Sequence, residues 1–281
     1  MTESEAFAYC KRLTKSHYEN FNVASVFLPK PLRQPFHIVY AYCRCSDDIA
    51  DEHDGSPQSR QVALQRLDGW QRQLDQCFDQ SEPDEKTHPV FIALRWLIRH
   101  YEMPKEPFAD LLVAFRQDQM QLSYATLDDL LRYCRYSANP VGRIVLHLIG
   151  KPMPEQLLWS DSICTALQLA NFWQDVRRDK ILGRCYIPQD VAQRFGVDLF
   201  DLRDTLEFRR MMQELVADAR SRFQAGVPLV ESVPKRLRRD ISLFLRGGLA
   251  ILDAIERIQF NVLEERPVLS RWMKLRLLLG V

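Results

Sequence analysis

Glycine is scarce in this 281-residue chain, ten residues in all, and the fifteen prolines fall mostly between periodic segments. Alternating apolar and polar runs are almost absent, which leaves little material for strands. Charge of one sign is not in excess either. With 38 basic and 37 acidic residues the formal net charge is +1, so no global field invites nucleic acid, and none is expected as a partner. No stretch approaches the roughly eighteen uninterrupted apolar residues of a membrane-spanning helix. The opening MTESEAFAYCKRLTKSHYENF carries charges early and lacks an apolar signal-peptide core, so no secretion signal is expected. The seven cysteines, at 10, 43, 45, 77, 134, 164 and 185, have no paired zinc spacing. They read as reduced, partly buried packing thiols of a cytoplasmic protein. One intervening residue between Cys43 and Cys45 is the wrong separation for a redox dithiol.

What remains is helical periodicity. Helices are expected over 3–15, 32–52, 58–79, 87–101, 104–122, 126–149, 154–180, 200–226, 234–264 and 268–279. No linker or repeat divides them, so the expected architecture is all-α, a single domain over 1–281 built as one bundle with ligands held between facing helices. DQSEPDEKTHP reads as an exposed loop, and KPMPEQ and ERPV as turns. The apolar, basic tail RWMKLRLLLGV suits either packing as a last helix or peripheral contact with a bilayer surface, which for a cytoplasmic protein would be the inner membrane.

Two acidic clusters interrupt this apolar pattern: Asp47, Asp48, Asp51 and Glu52 in CRCSDDIADE, and Asn171, Asp175 and Asp179 in LQLANFWQDVRRD. Helical spacing sets Asp47 above Asp51 and Asp48 above Glu52, and makes a stripe of the second set. Acidic helix faces are often merely solvated. Here, however, the acids are embedded in apolar helices, with Arg44, Arg177, Arg178, Lys180 and Arg184 recurring beside them. Like charges four residues apart repel by roughly 0.2–0.5 kcal/mol per pair, which a bound cation would offset. Oxygen donors without paired His or Cys favour magnesium or manganese over zinc, and nearby arginines suit a phosphorylated ligand. The expectation is that the clusters form two walls of one magnesium–diphosphate site.

The segments HYENFNVASVFLPKPLRQPFHIVYAYCRCSDDIADE, YCRYSANPVGRIVL, LQLANFWQDVRRDKILGRCYIP and LRGGLAILDAIERIQFNVLEERPVLS together resemble the squalene/phytoene synthase family. HYENF, SANPVGR, NFWQDV and RGGLAILDAIER look most like its bacterial hydroxysqualene synthase branch, which serves hopanoid biosynthesis. The resemblance implies a class I isoprenoid synthase helical bundle around a central apolar cavity. Asp47, Asp48 and Asp51 match the first aspartate-rich motif, and Asn171, Asp175 and Asp179 the second. Gln168 matches a substrate-contacting glutamine. Tyr40, Arg44, His17 and Asn20 fall where relatives surround the diphosphate or the start of the prenyl chain, although Asn20 replaces a serine common elsewhere. Tyr133 matches a cavity tyrosine, and Arg184 and Tyr186 the basic and aromatic residues after the second motif. Gln174 stands where several carotenoid-type relatives have arginine. Gly247 and Gly248 occupy a helix where many have tyrosine, and such a pair argues for close approach by substrate or helix.

The chemistry expected of such residues is ionisation of a prenyl diphosphate. Asp47, Asp51, Asp175, Asp179 and Tyr133 form the expected catalytic set. Arg44, Arg178 and Arg184 can hydrogen-bond the leaving group, and aromatic faces can stabilise a carbocation. Phe172 and Trp173 suit that role or simple core packing. His17 suits substrate contact or a structural hydrogen bond, and Asn139, before Pro140, reads as a turn former. The implied reaction converts presqualene diphosphate and water to hydroxysqualene and diphosphate, with Mg2+ or Mn2+ and no NADPH. Sibling reactions are condensation of two prenyl diphosphates to presqualene diphosphate, squalene or phytoene. A rival of another class is a silent relative acting as an assembly factor, against which both intact acidic clusters speak.

Overall fold

The computed structural model describes residues 1–16, 29–52, 55–79 and 81–269. Among these residues every named element is a helix, and one isolated parallel bridge, Ser123 with Cys185, is the extended pairing recorded. The chain divides into two compact units, Met1–Met120 with Pro140–Met153, and Gln121–Asn139 with Pro154–Val281.

The first unit contains α1 (Glu3–Ser16), α2 (Lys30–Asp51), α3 (Pro57–Phe78), α4 (Pro89–Tyr101) and α5 (Glu106–Asp118). Ser56 caps α3 by accepting from the Ser59 amide at 3.2 Å, and His88 caps α4 through Nδ1 from the Val90 amide at 3.3 Å. Each cap is followed by proline at the first helical position, where a missing N–H costs nothing. α2 packs against α1, α3, α4 and α5. Its inner face carries Ile38, Ala41, Tyr42, Ser46 and Ile49, all buried. The Tyr42 hydroxyl donates to the Phe108 carbonyl at 2.8 Å, and Trp70 Nε1 donates to Ser46 Oγ at 2.9 Å. With their polar tips satisfied, Tyr42 and Trp70 can lie in an apolar core, and the opposite face of α2 is left for the acids.

The second unit contains α6 (Leu127–Ser137), α8 (Pro154–Ile181), α9 (Gln189–Phe195), α10 (Leu206–Gly226), α11 (Pro228–Ser232) and α12 (Lys235–Arg257). α7 (Asn139–Ile149) belongs to the first unit from Pro140 onward. α8 is the spine of the second unit, packed by α6, α10, α11 and α12. Two glycines permit the close crossings. A Cβ on Gly226 would overlap Ile163 on α8, and one on Gly248 would overlap Phe223 on α10 and Leu167 on α8. Of the close approaches expected at the glycine pair, Gly248 therefore serves helix packing, whereas Gly247 faces open space.

Several boundaries differ from expectation. The helix expected over 126–149 breaks at Ala138 into α6 and α7. Asn139 is also more than a turn former, since its Oδ1 accepts from Thr165 Oγ1 at 2.9 Å inside the second unit. The 200–226 helix begins only at Leu206, where Thr205 Oγ1 caps the Phe208 amide at 3.2 Å. α9 and α11 were absent from the expected set. The 234–264 helix ends at Arg257, because Gln259 and Phe260 adopt left-handed φ of 55° and 62°. Val268 and Leu269 are not helical, and the rest of the expected last helix lies outside the described residues. Among the described residues no helix is long and apolar enough to cross a membrane.

Candidate functional site

On α2, Tyr40, Arg44, Asp47, Asp48 and Asp51 follow one another along the face opposite Tyr42. Arg44 reaches both neighbouring acids, with Nη1 to Asp47 at 3.5 Å and Nη2 to Asp48 at 2.5 Å. Burial opposes the Arg44 charge, but Asp48 and then Asp47 outweigh it and raise its pKa. Burial raises the Tyr40 phenol, so it stays protonated. Glu52 ends the helix and pairs outward with Arg66 at 3.2 Å. Burial pushes Cys43 up to about 12 and Cys45 to about 11, so neither flanking thiol is a thiolate near neutrality.

On α8, Gln168, Asn171, Asp175 and Asp179 form the second stripe. Burial and then the Asp175 charge raise Asp179 to about 6, and Arg184 and Arg178 act against that rise. After α8 the chain turns at Gly183, φ 71°, and the Arg184 amide donates to the Asp179 carbonyl at 2.8 Å. The next residues run beside 122–125. Cys185 N donates to Leu122 O at 2.8 Å, and Gln189 N donates to Tyr124 O at 3.0 Å. That pairing lays Tyr186 on Phe172, ring centroids 3.9 Å apart and nearly parallel, with Tyr124 and Tyr133 at 5.9 and 6.2 Å from Tyr186. The structure thus gathers Asp179, Arg184, Tyr186 and Tyr133, and adds Phe172 and Tyr124. A cavity of about 790 Å³ opens here, lined by Phe172, Val176, Asp179, Arg184, Tyr186 and Phe200 among others.

Asp175 has a partner that sequence reasoning missed. Arg266 donates to it in fork geometry, Nε to Oδ1 at 2.5 Å and Nη2 to Oδ2 at 3.2 Å. The one available signal was an arginine in ERPV, a segment read only as a turn. Gln174, noted as a lost positive charge, is buried and donates to the Pro267 carbonyl at 2.5 Å. His17 and Asn20 lie outside the described residues.

Among the described residues no three His, Cys, Asp or Glu side chains converge as a ready metal cage. Magnesium rarely needs one, since it commonly takes one or two carboxylates and completes its shell with waters and phosphate oxygens. The stripe on α8 is made of oxygen donors and includes a carboxyl group whose pKa is raised by burial and then by a neighbouring carboxylate, a donor set that fits a cation sharing its shell with a diphosphate.

Helices alone, acids striped along two of them and an aromatic cavity beside the second define the class: all-α proteins of the isoprenoid synthase fold. Residues 14–273 match the profile of the squalene/phytoene synthase family, and the chain belongs to that family of prenyl-diphosphate-processing synthases. It superimposes on the crystal structure of squalene synthase HpnC from Alicyclobacillus acidocaldarius with a TM-score of 0.85 and 43% identity, covering 92% of this chain and 96% of that one. A hydroxysqualene synthase of Rhodopseudomonas palustris is 32% identical, over 94% of this chain and 86% of its own length. A 15-cis-phytoene synthase of Synechococcus elongatus is 28% identical, over 97% and 91%.

Proposed function

We propose that the chain is a hydroxysqualene synthase, a carbon–oxygen lyase that converts presqualene diphosphate and water to hydroxysqualene and diphosphate. The observation that carries the ionising chemistry is the juxtaposition, on α8 and the turn after it, of Asp179, Arg184 and the Phe172–Tyr186 stack. Asp47, Asp48 and Asp51 on α2, and Asn171, Asp175 and Asp179 on α8, would hold magnesium or manganese. When bound, the cation supplies positive charge to the departing diphosphate. Arg44 beside the first stripe, and Arg178 and Arg184 beside the second, would donate hydrogen bonds to diphosphate oxygens, and such bonds strengthen as the carbon–oxygen bond breaks and its electron pair leaves with diphosphate. Ring faces of Phe172, Tyr186 and Tyr133 stabilise the carbocation by about 0.5–2 kcal/mol each. By the resemblance, Gln168 on α8 and Tyr40 on α2 would contact substrate. The cyclopropylcarbinyl cation left behind rearranges with opening of its ring, and water then bonds to the resulting cationic carbon and loses a proton, which gives the alcohol with no hydride donor. The reading of the branch is supported by the 32% identity with a hydroxysqualene synthase, against 28% for the phytoene synthase.

The test is incubation of the purified chain with presqualene diphosphate and magnesium in heavy-oxygen water, without reduced nicotinamide. Labelled hydroxysqualene is expected. Squalene formed only with a nicotinamide donor, or presqualene diphosphate accumulating from two farnesyl diphosphates, would move the protein to a sibling reaction. No turnover of either substrate would favour an assembly role.

A further inference from the structure

Three side chains in one turn of α8 clasp the segment that follows α12. Arg177 Nη1 donates to the Glu264 carbonyl at 2.8 Å, Asp175 accepts the Arg266 fork, and buried Gln174 donates to the Pro267 carbonyl. The segment is itself anchored. Phe260 N donates to Ile255 O at 3.0 Å to close α12, Val262 is fully buried, and Asn261 Nδ2 donates to Glu264 Oε2 at 2.8 Å. The backbone of 264–267 is therefore tied on both sides of Arg266 by contacts to its carbonyls, which need no charge at Asp175. The Arg266 side chain is half exposed, whereas that of Asp175 is 20% exposed. Both Asp175 oxygens are occupied by guanidinium N–H groups, a geometry that fixes the carboxylate plane. A divalent cation would need at least one of those oxygens, and it would repel a guanidinium already bonded to them.

We propose that Arg266 is a positioning residue for the second acidic stripe: it holds the Asp175 carboxylate in place until a divalent cation takes that carboxylate over, and the tethered strap returns it when the cation leaves. The proposal rests on reading α8 as a cation-binding helix and not on the identity of the product. Two consequences follow. Cation binding to the free protein is weakened by the resident guanidinium, and Asp175 keeps its orientation between turnovers.

The experiment is magnesium titration of the full chain by calorimetry, alone and with inorganic pyrophosphate, for the wild type, R266K and R266Q. It is paired with nitrogen-15 NMR of the Arg266 Nε–H, assigned by its loss in R266Q and its displacement in D175N. Several-fold tighter magnesium binding is expected for R266Q, and binding close to the wild type for R266K, which keeps the charge. In the wild type, saturation with magnesium should move the Arg266 resonance to the position it has in D175N. An unmoved resonance at saturation, or unchanged or weaker binding in R266Q, would overturn the proposal. Absence of magnesium binding in every variant, with or without pyrophosphate, would overturn it together with the cation reading of α8. Failure to consume presqualene diphosphate by a chain that binds magnesium as described would remove only the proposed reaction.

Discussion

The two acid-bearing helices neutralise their charge by different means. On α2 the counter-charge is local: Arg44 lies three and four residues from the acids it touches, and the Asp47 side chain remains 44% exposed. On α8 the neighbouring Arg178 and Arg184 act on Asp179, but at Asp175 the counter-charge is remote: that carboxylate is served by Arg266, ninety-one residues away, and is only 20% exposed. Their anchoring differs as well. Hydrogen-bonded aromatics seat α2 in its core, whereas glycines on α10 and α12 let those helices close onto α8. A locally paired stripe holds its arrangement with little help, while a remotely paired one depends on a strap arriving from the end of the fold. The comparison implies that similar acidic motifs respond differently when their surroundings are altered.

The largest expected effect would break the comparison by removing what both stripes are proposed to hold. Chelation should silence turnover, magnesium or manganese should restore it, and zinc should do so poorly, since the donors are hard oxygens. Product assays across a metal series check this, and diphosphate release in metal-free buffer would sink it. Next, Asp47→Asn and Asp175→Asn should each lower turnover by about 10²–10³-fold, on the scale of losing one electrostatic contact to the leaving group. Circular dichroism should show an unchanged helical fold in both, because the partly exposed Arg44–Asp47 pair contributes only about 0–1 kcal/mol and the strap facing Asp175 is also held by Arg177 and Gln174. A variant that turns over at the wild-type rate would show that its stripe plays no part.

Anchoring gives a sharper test. Gly248→Ala pushes a methyl group into Phe223 and Leu167 and should cost about 1–3 kcal/mol. Tyr42→Phe removes the donor to the Phe108 carbonyl and should cost about 1 kcal/mol. Urea denaturation of both ranks them, and equal costs would erase the distinction between the two seats. The last test concerns pH. Asp179 ordinarily titrates at 3.8 and is raised to about 6 in the fold. Between those values the folded state holds more proton than the unfolded one, so its contribution to stability is greatest below 3.8. It is lost as pH rises to about 6, and is level above that. Denaturation in metal-free buffer from pH 4 to 7 should show that decline in the wild type and not in Asp179→Asn.

Much of this architecture was legible because it is local. Apolar spacing marked the long helices, and both stripes follow from residues three and four apart on α2 and α8. Arg184 and Tyr186 were singled out by resemblance, and the structure puts them beside Asp179 and Phe172. What escaped depends on long-range closure. The left-handed Gln259 and Phe260 carry no glycine or proline signal at the position itself, whereas the break at Ala138 had a local signal in Asn139 and Pro140 that the helical periodicity masked. Arg266 stood in a segment with turn character, and no periodicity joins it to Asp175. Gln174 looked like an absence of charge, and only packing shows it as a donor to Pro267.

The bridge between Ser123 and Cys185 is small, yet it stands where the aromatic wall is completed by Tyr124. It ties together residues about sixty positions apart, so its closure entropy must be met by contacts formed elsewhere first. The helices can form on local information, whereas Tyr124 and Tyr133 join the Tyr186–Phe172 stack only when the ends of that long excursion meet. The amides of Cys185, Gln189 and Asp190, donating to Leu122, Tyr124 and Ala125, are therefore natural clocks for the last stage of assembly. A chain that has gained its full helix content while those amides still exchange freely would be folded to the eye of a spectropolarimeter and still lack the completed aromatic wall of its cavity.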